Sequence, residues 1–134
     1  MSLIKNFETI ICWKESRLLN QRMGEMIDQK RFDQNFRLIN QIERSAGSIM
    51  DNIAEGFERG GNREFIQFMY IAKASCGEFR SQLYRALDRK YITPTEFEEL
   101  SIHTRKINFL IQQFINYLSS SKMKGHKYKQ SPNP

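Results

Sequence analysis

Between Ile39 and Arg59 the chain carries two stripes side by side, each stepping by three and four residues. One is apolar: Ile39, Ile42, Ala46, Ile49, Ile53 and Gly56. The other is polar: Gln41, Arg44, Ser48, Asn52, Glu55 and Arg59. Such steps return to one face of an α-helix, so the segment reads as a helix with a dry seam. Its companion stripe holds short polar groups where a solvated flank ordinarily holds Lys and Glu. Ser and Asn weaken an exposed helix, because their side chains compete for the backbone. A helix of this kind needs two neighbours, one apolar and one polar.

The rest of the chain offers helices to meet that need. Phe65, Met69, Ala72, Cys76, Phe79, Leu83 and Ala86 step 4-3-4-3-4-3, a heptad seam. Phe97, Leu100, Thr104, Ile107, Ile111, Phe114 and Leu118 repeat the pattern, and Ile4 to Ile27 carries a broad apolar face that includes Trp13. The breaks between these segments are short. Asp28 to Asp33 interrupts the first, with Asp33 expected to cap the second helix and Phe32 to staple it. Gly60-Gly61 stops the second helix, and Asn62 is expected to cap the third. Thr93-Pro94-Thr95-Glu96 is a capping box with Pro at the first helical position. Gly47 and Gly56, inside the second helix, suggest close approach of another backbone or a bend. The expected fold is therefore all-α: an antiparallel up-down-up-down four-helix bundle with helices at about 3–27, 34–58, 63–90 and 94–119. Residues 1–119 form the bundle, and 120–134 read as a basic, disordered tail.

Charge is unevenly placed. Of a net +6, four positive charges come from Lys122, Lys124, Lys127 and Lys129. The remaining 17 basic and 15 acidic residues nearly balance. A basic excess of this size favours polyanions only weakly, unless several copies multiply it. Two cysteines, Cys12 and Cys76, lack metal spacing and cannot form a disulfide framework. No apolar run approaches the roughly 20 residues of a membrane span. Lys5, Glu8 and Lys14 interrupt the N-terminal segment, which does not read as a signal peptide. A reduced, cytoplasmic protein is expected.

Catalytic patterns are missing. His103 stands alone in the body, without a Glu-x-x-His pair or an Arg separated from it by four to six residues. There is no Gly-rich phosphate loop. The expectation is no enzyme, no cofactor, no metal and no small-molecule substrate.

The run Gln41-Ile42-Glu43-Arg44-Ser45-Ala46-Gly47-Ser48-Ile49 to Asn52-Ile53-Ala54-Glu55-Gly56 and Arg59 resembles the central signature of the bacterial four-helix-bundle proteins encoded in intervening sequences of 23S ribosomal RNA genes. Trp13, Phe32, Phe65 and the Ile71–Ser75 stretch followed by Glu78 also fit, so the resemblance covers about residues 7–118. Glu43 stands where the family usually has Arg, Met50 where Pro is frequent, Ala74 where Gly is common, and Asp33 where Pro is frequent. The resemblance implies a bundle assembling into a homopentamer, and it supplies no catalytic residues. A related group, the accessory variability determinants of diversity-generating retroelements, binds nucleic acid and a reverse transcriptase.

Two sets of residues follow. Gln41, Arg44, Ser48, Asn52 and Glu55 form a polar packing and assembly stripe. It would be satisfied either by Ser75, Glu78 and Gln82 of the same chain or by a second copy. Arg59, Arg63, Lys122, Lys124, Lys127 and Lys129 are the candidate nucleic-acid contacts, to RNA or DNA with little sequence specificity. In an antiparallel bundle the tail leaves from the end that holds the 59–63 turn. The alternative is a protein-interaction scaffold, such as an accessory partner of a reverse transcriptase.

Overall fold

The computed structural model describes residues 4–120. Four helices account for most of it: α1 Ile11–Asp28, α2 Phe36–Glu58, α3 Asn62–Asp88 and α4 Pro94–Ser120. A single 3-10 turn, Phe7–Thr9, precedes α1. Each helix packs on its sequence neighbours, and α1 closes the ring against α4. Cross-helix bonds show the antiparallel order: Arg22 pairs with Glu99 and Glu15 with Lys106 between α1 and α4, while Asn62 reaches Leu118 between α3 and α4.

The apolar seams meet at the centre. Ile42, Ile49 and Ile53 of α2, Phe65, Met69, Phe79 and Leu83 of α3, and Leu100, Ile107 and Ile111 of α4 are fully buried. Each such side chain contributes about 1.5–3 kcal/mol relative to exposure, which is what holds helices too weak to persist alone. Phe65 sits at the crossing, edge-on to Phe57 of α2 and to Phe114 of α4. Gly56 lies under it. A Cβ there would meet Phe65 Cδ1 and Phe68 Cβ at 2.8 Å, so this glycine lets α2 and α3 close. Gly47 has no such neighbour, since only Asp51 Oδ2, at 4.0 Å, comes near.

Three boundaries differ from expectation. The first helix does not run from residue 3. Ile10 is extended, with φ −77° and ψ 126°, and is buried in the core. The preceding turn packs on α1 and α2, with the Phe7 ring 5.1 Å from that of Trp13. Thr9-Ile10-Ile11 is β-branched throughout, so folding back costs little helix and buries more apolar surface. Asp33 does not cap α2. Lys30, Asp33 and Gln34 adopt left-handed φ of 59°, 51° and 61°, and Asn35 is the cap, accepting from Leu38 N at 3.2 Å. Phe32 is buried as an anchor against Tyr91, 5.3 Å between rings, and Arg31 pairs with Glu96, so this connection is tied to the α3–α4 turn. Asn62 opens α3 as its first residue rather than as its cap. The capping box is as expected: Thr93 N donates to Glu96 Oε1 at 2.9 Å, and Glu96 N donates to Thr93 Oγ1 at 3.1 Å. Gly60, with φ 91°, ends α2.

Candidate nucleic-acid interface

The polar stripe of α2 faces α3 within the same chain. The Ser48 and Ser75 hydroxyls meet at 2.8 Å, and Asn52 Nδ2 donates to Ser48 Oγ and to Ser48 O, both at 2.8 Å. Two turns earlier on α2, Arg85 Nη1 donates to Gln41 Oε1 at 2.8 Å. Glu55 turns along its own helix to Arg59, at 3.0 Å. Arg44 is exposed and takes no part in these bonds. The stripe is thus brought together with Ser75 and Arg85 to zip α2 to α3.

Ser45 is the member that stripe spacing misses. Its hydroxyl donates to Gln82 Oε1 at 2.6 Å, with both side chains buried, and Gln82 Nε2 donates to Glu78 Oε2 at 3.4 Å. Ser45 lies three residues after Ile42 and four before Ile49, on the dry seam itself. A hydroxyl there must find a buried partner, and that was the available signal. Asn20 is a second case: from α1 its Nδ2 donates to Ala46 O at 2.8 Å.

Arg59 and Arg63 flank the α2–α3 turn. The Arg59 guanidinium bonds Glu55 and lies 4.9 Å over the Phe68 ring, while its side chain stays about half exposed. A phosphate would have to share it with that carboxylate. Arg63 is exposed and makes no ion pair among the described residues. Asn62, between them, donates from Nδ2 to Leu118 O at 3.0 Å and so holds the end of α4 against this turn. Lys122, Lys124, Lys127 and Lys129 lie outside the described residues, as does the rest of 121–134.

His103 is half-buried, with Nε2 2.8 Å from Glu15 Oε1, and Lys106 Nζ lies 3.6 Å from Glu15 Oε2. The histidine closes the α1–α4 seam beside a carboxylate and an ammonium. Among the described residues no group of three His, Cys, Asp or Glu side chains could hold a metal ion. Cys12 and Cys76 are free and buried, and burial pushes both thiols up to about 12. No helix among the described residues is long and apolar enough to cross a membrane.

The family model described as 23S rRNA-intervening sequence protein matches residues 8–113. Among solved structures, the chain is similar to a protein of unknown function from the S23 ribosomal protein family of Bacteroides thetaiotaomicron, with a TM-score of 0.68 and 24% identity over 79% of this chain and 96% of that one. At that identity the likeness is one of fold. No curated protein matches the chain.

Proposed function

Because the chain belongs to the 23S rRNA-intervening sequence protein family, we propose that it is a non-catalytic, homo-oligomeric bundle that binds RNA or DNA through backbone contacts. The observation that carries this reading is the Asn62–Leu118 bond. It sets the end of α4 beside Arg59 and Arg63, and from that end the chain continues into a segment with four lysines and no acid. Arg59 and Arg63 lie at that end, and the four lysines follow it in the sequence. Lys and Arg on phosphates give affinity without sequence readout. Arg63, which has no carboxylate partner among the described residues, contributes more than Arg59, which already has Glu55. The test is an anisotropy titration of labelled RNA and DNA at low salt. Arg63→Gln weakens binding several-fold and more than Arg59→Gln does. Undetectable binding of the parent chain to either polymer refutes the reading.

Assembly is supported by a different surface from the polar stripe, whose Gln41, Ser48, Asn52 and Glu55 are bonded within the chain. Ile11 and Leu18 on α1 are 59% and 52% exposed, and Ile102 and Phe109 on α4 are 56% and 59% exposed. Each pair is seven residues apart, so each forms a line along its helix. Such a strip is costly to leave in water, and a second copy would cover it. A homopentamer is the form proposed. Light scattering tests it: a multimer is expected, Phe109→Glu shifts it towards monomer, and a monomeric parent chain at micromolar concentration refutes the assembly. The same strip is the observation that favours the second reading, a scaffold for another protein.

A further inference from the structure

We propose that the seam between α3 and α4 is a groove for single-stranded nucleic acid, built from Lys73, Arg80 and Arg105 between the exposed rings of Tyr70 and Tyr84. This rests on the nucleic-acid reading above and adds a surface to it beyond the α2–α3 turn.

The placement comes from helical spacing. Tyr70, Lys73, Gly77, Arg80 and Tyr84 step 3-4-3-4 and so form one line along α3. That line lies on the α4 side, because the Tyr84 ring stacks edge-on with Phe97 of α4, 4.7 Å between centroids. The antiparallel register fixed by Tyr84–Phe97 and Asn62–Leu118 sets Gly77 across from the turn of α4 that ends in Arg105. The five-residue line and the facing turn hold three cations and no acid.

Lys73 and Arg80 differ from the other half-buried cations among the described residues. Arg22 has Glu99 and Arg31 has Glu96. Lys73 and Arg80 are half-buried, and neither they nor Arg105 has a carboxylate in salt-bridge range among the described residues. Arg80 Nε is buried without a hydrogen-bond partner. A half-buried cation without a counterion is unfavourable, and an anionic ligand is what would relieve it.

The rings narrow the choice of anion. Tyr70 and Tyr84 are 51% and 50% exposed, about 21 Å apart along the helix, with Lys73 and Arg80 about 10 Å apart between them. Cations along a groove, flanked by half-exposed tyrosine rings, suit a strand whose phosphates track the charges while its bases stack. A duplex offers no free base face, and an acidic polypeptide has no base to stack. Gly77, at the centre, leaves room for a backbone to approach, since a Cβ there would meet nothing within 4 Å.

The test uses the full chain, a labelled oligouridylate and the same strand annealed to oligoadenylate. Gly77→Glu puts a carboxylate at the centre of the groove, where there is space for it, and is expected to weaken single-strand binding at least about tenfold. Gly24→Glu makes the same charge change on α1, where a Cβ also meets nothing within 4 Å, and is expected to leave the affinity within about twofold. Tyr70→Ala, at an exposed position, is expected to cost about fivefold or more. Circular dichroism of each variant checks folding, and Tyr70→Ala decides the matter if Gly77→Glu does not fold. If the parent chain binds no strand at low salt, the nucleic-acid reading falls and this groove with it. If the parent binds and Gly77→Glu and Tyr70→Ala bind as well as Gly24→Glu, the groove is refuted while the reading stands. Equal binding of duplex overturns the single-strand assignment. Displacement by poly-glutamate as effective as by unlabelled strand at equal charge assigns the seam to acidic polypeptide and overturns it too.

Discussion

Gly56 and Gly47 lie on one helix, nine residues apart, and the same substitution should move stability in opposite directions at the two sites. Replacing a helical glycine by alanine gains about 1 kcal/mol of backbone preference. At Gly56 the new methyl would sit 2.8 Å from Phe68 Cβ and 2.8 Å from Phe65 Cδ1. The first of these atoms is fixed to the backbone of α3, and the second belongs to a ring clamped between Phe57 and Phe114. Neither can move aside alone, so α2 and α3 must separate. Overpacking of this kind costs about 1–3 kcal/mol, with two simultaneous overlaps placing it at the upper end. Gly56→Ala is therefore expected to lose about 1–2 kcal/mol net. At Gly47 the nearest atom is Asp51 Oδ2 at 4.0 Å, an ordinary contact, so Gly47→Ala is expected to gain about 0.5–1 kcal/mol. The assay is urea unfolding followed by circular dichroism at one fixed protein concentration, because assembly would otherwise enter the midpoint. A Gly56→Ala protein as stable as the Gly47→Ala one would refute the close approach of α2 and α3.

Three further outcomes are expected. Ser45→Ala leaves Gln82 Oε1 buried without its donor and costs about 1–2 kcal/mol, part of which Gln82→Leu restores in the double variant; a neutral Ser45→Ala would contradict the buried bond. The hydrogen bond from Arg31, then that from Thr93 N, holds the Glu96 carboxyl below its ordinary value near 4.5. Because the folded value is the lower one, its stabilisation is complete above the ordinary value and is lost as pH falls through the folded one. Thermal melts in acid should therefore fall more steeply for the parent than for Glu96→Gln, and parallel acid limbs would exclude the pair as a contributor. Cys12 and Cys76, with thiols pushed up to about 12 by burial, should react with a thiol reagent only as fast as the chain opens. Rapid labelling of the native protein would show that the core is not closed around them.

The helices were readable because their cores repeat. Phe65 to Ala86 and Leu100 to Leu118 carry their period openly, and Thr93 to Glu96 announces a helix start with its own side chains. Ile10 was not readable, since an isoleucine at helical spacing looks the same whether the backbone continues or folds back. Asp33 and Asn35 are both good caps. The choice between them was made by Phe32, whose burial against Tyr91 from a distant turn sets the backbone of the connection. The polar stripe was visible on α2 and Ser75 was among its expected partners, but the pairs Ser45 with Gln82 and Gln41 with Arg85 were not, because register alone links them. Lys73 and Arg80 gave no sign in the sequence. What sets them apart is half-burial with no carboxylate in salt-bridge range among the described residues, and that is a property of the assembled seam.

The charge at the α2–α3 end is tested most directly by the salt dependence of RNA affinity, measured for the full chain and for a chain ending at Ser120. For a single strand, log affinity falls with log salt by about 0.7 per phosphate neutralised. If Lys122, Lys124, Lys127 and Lys129 engage phosphates beside Arg63, the full chain should show a slope steeper by about 3 than the shortened one. Equal slopes, or no binding by the full chain at low salt, would contradict a nucleic-acid interface at that end of the bundle.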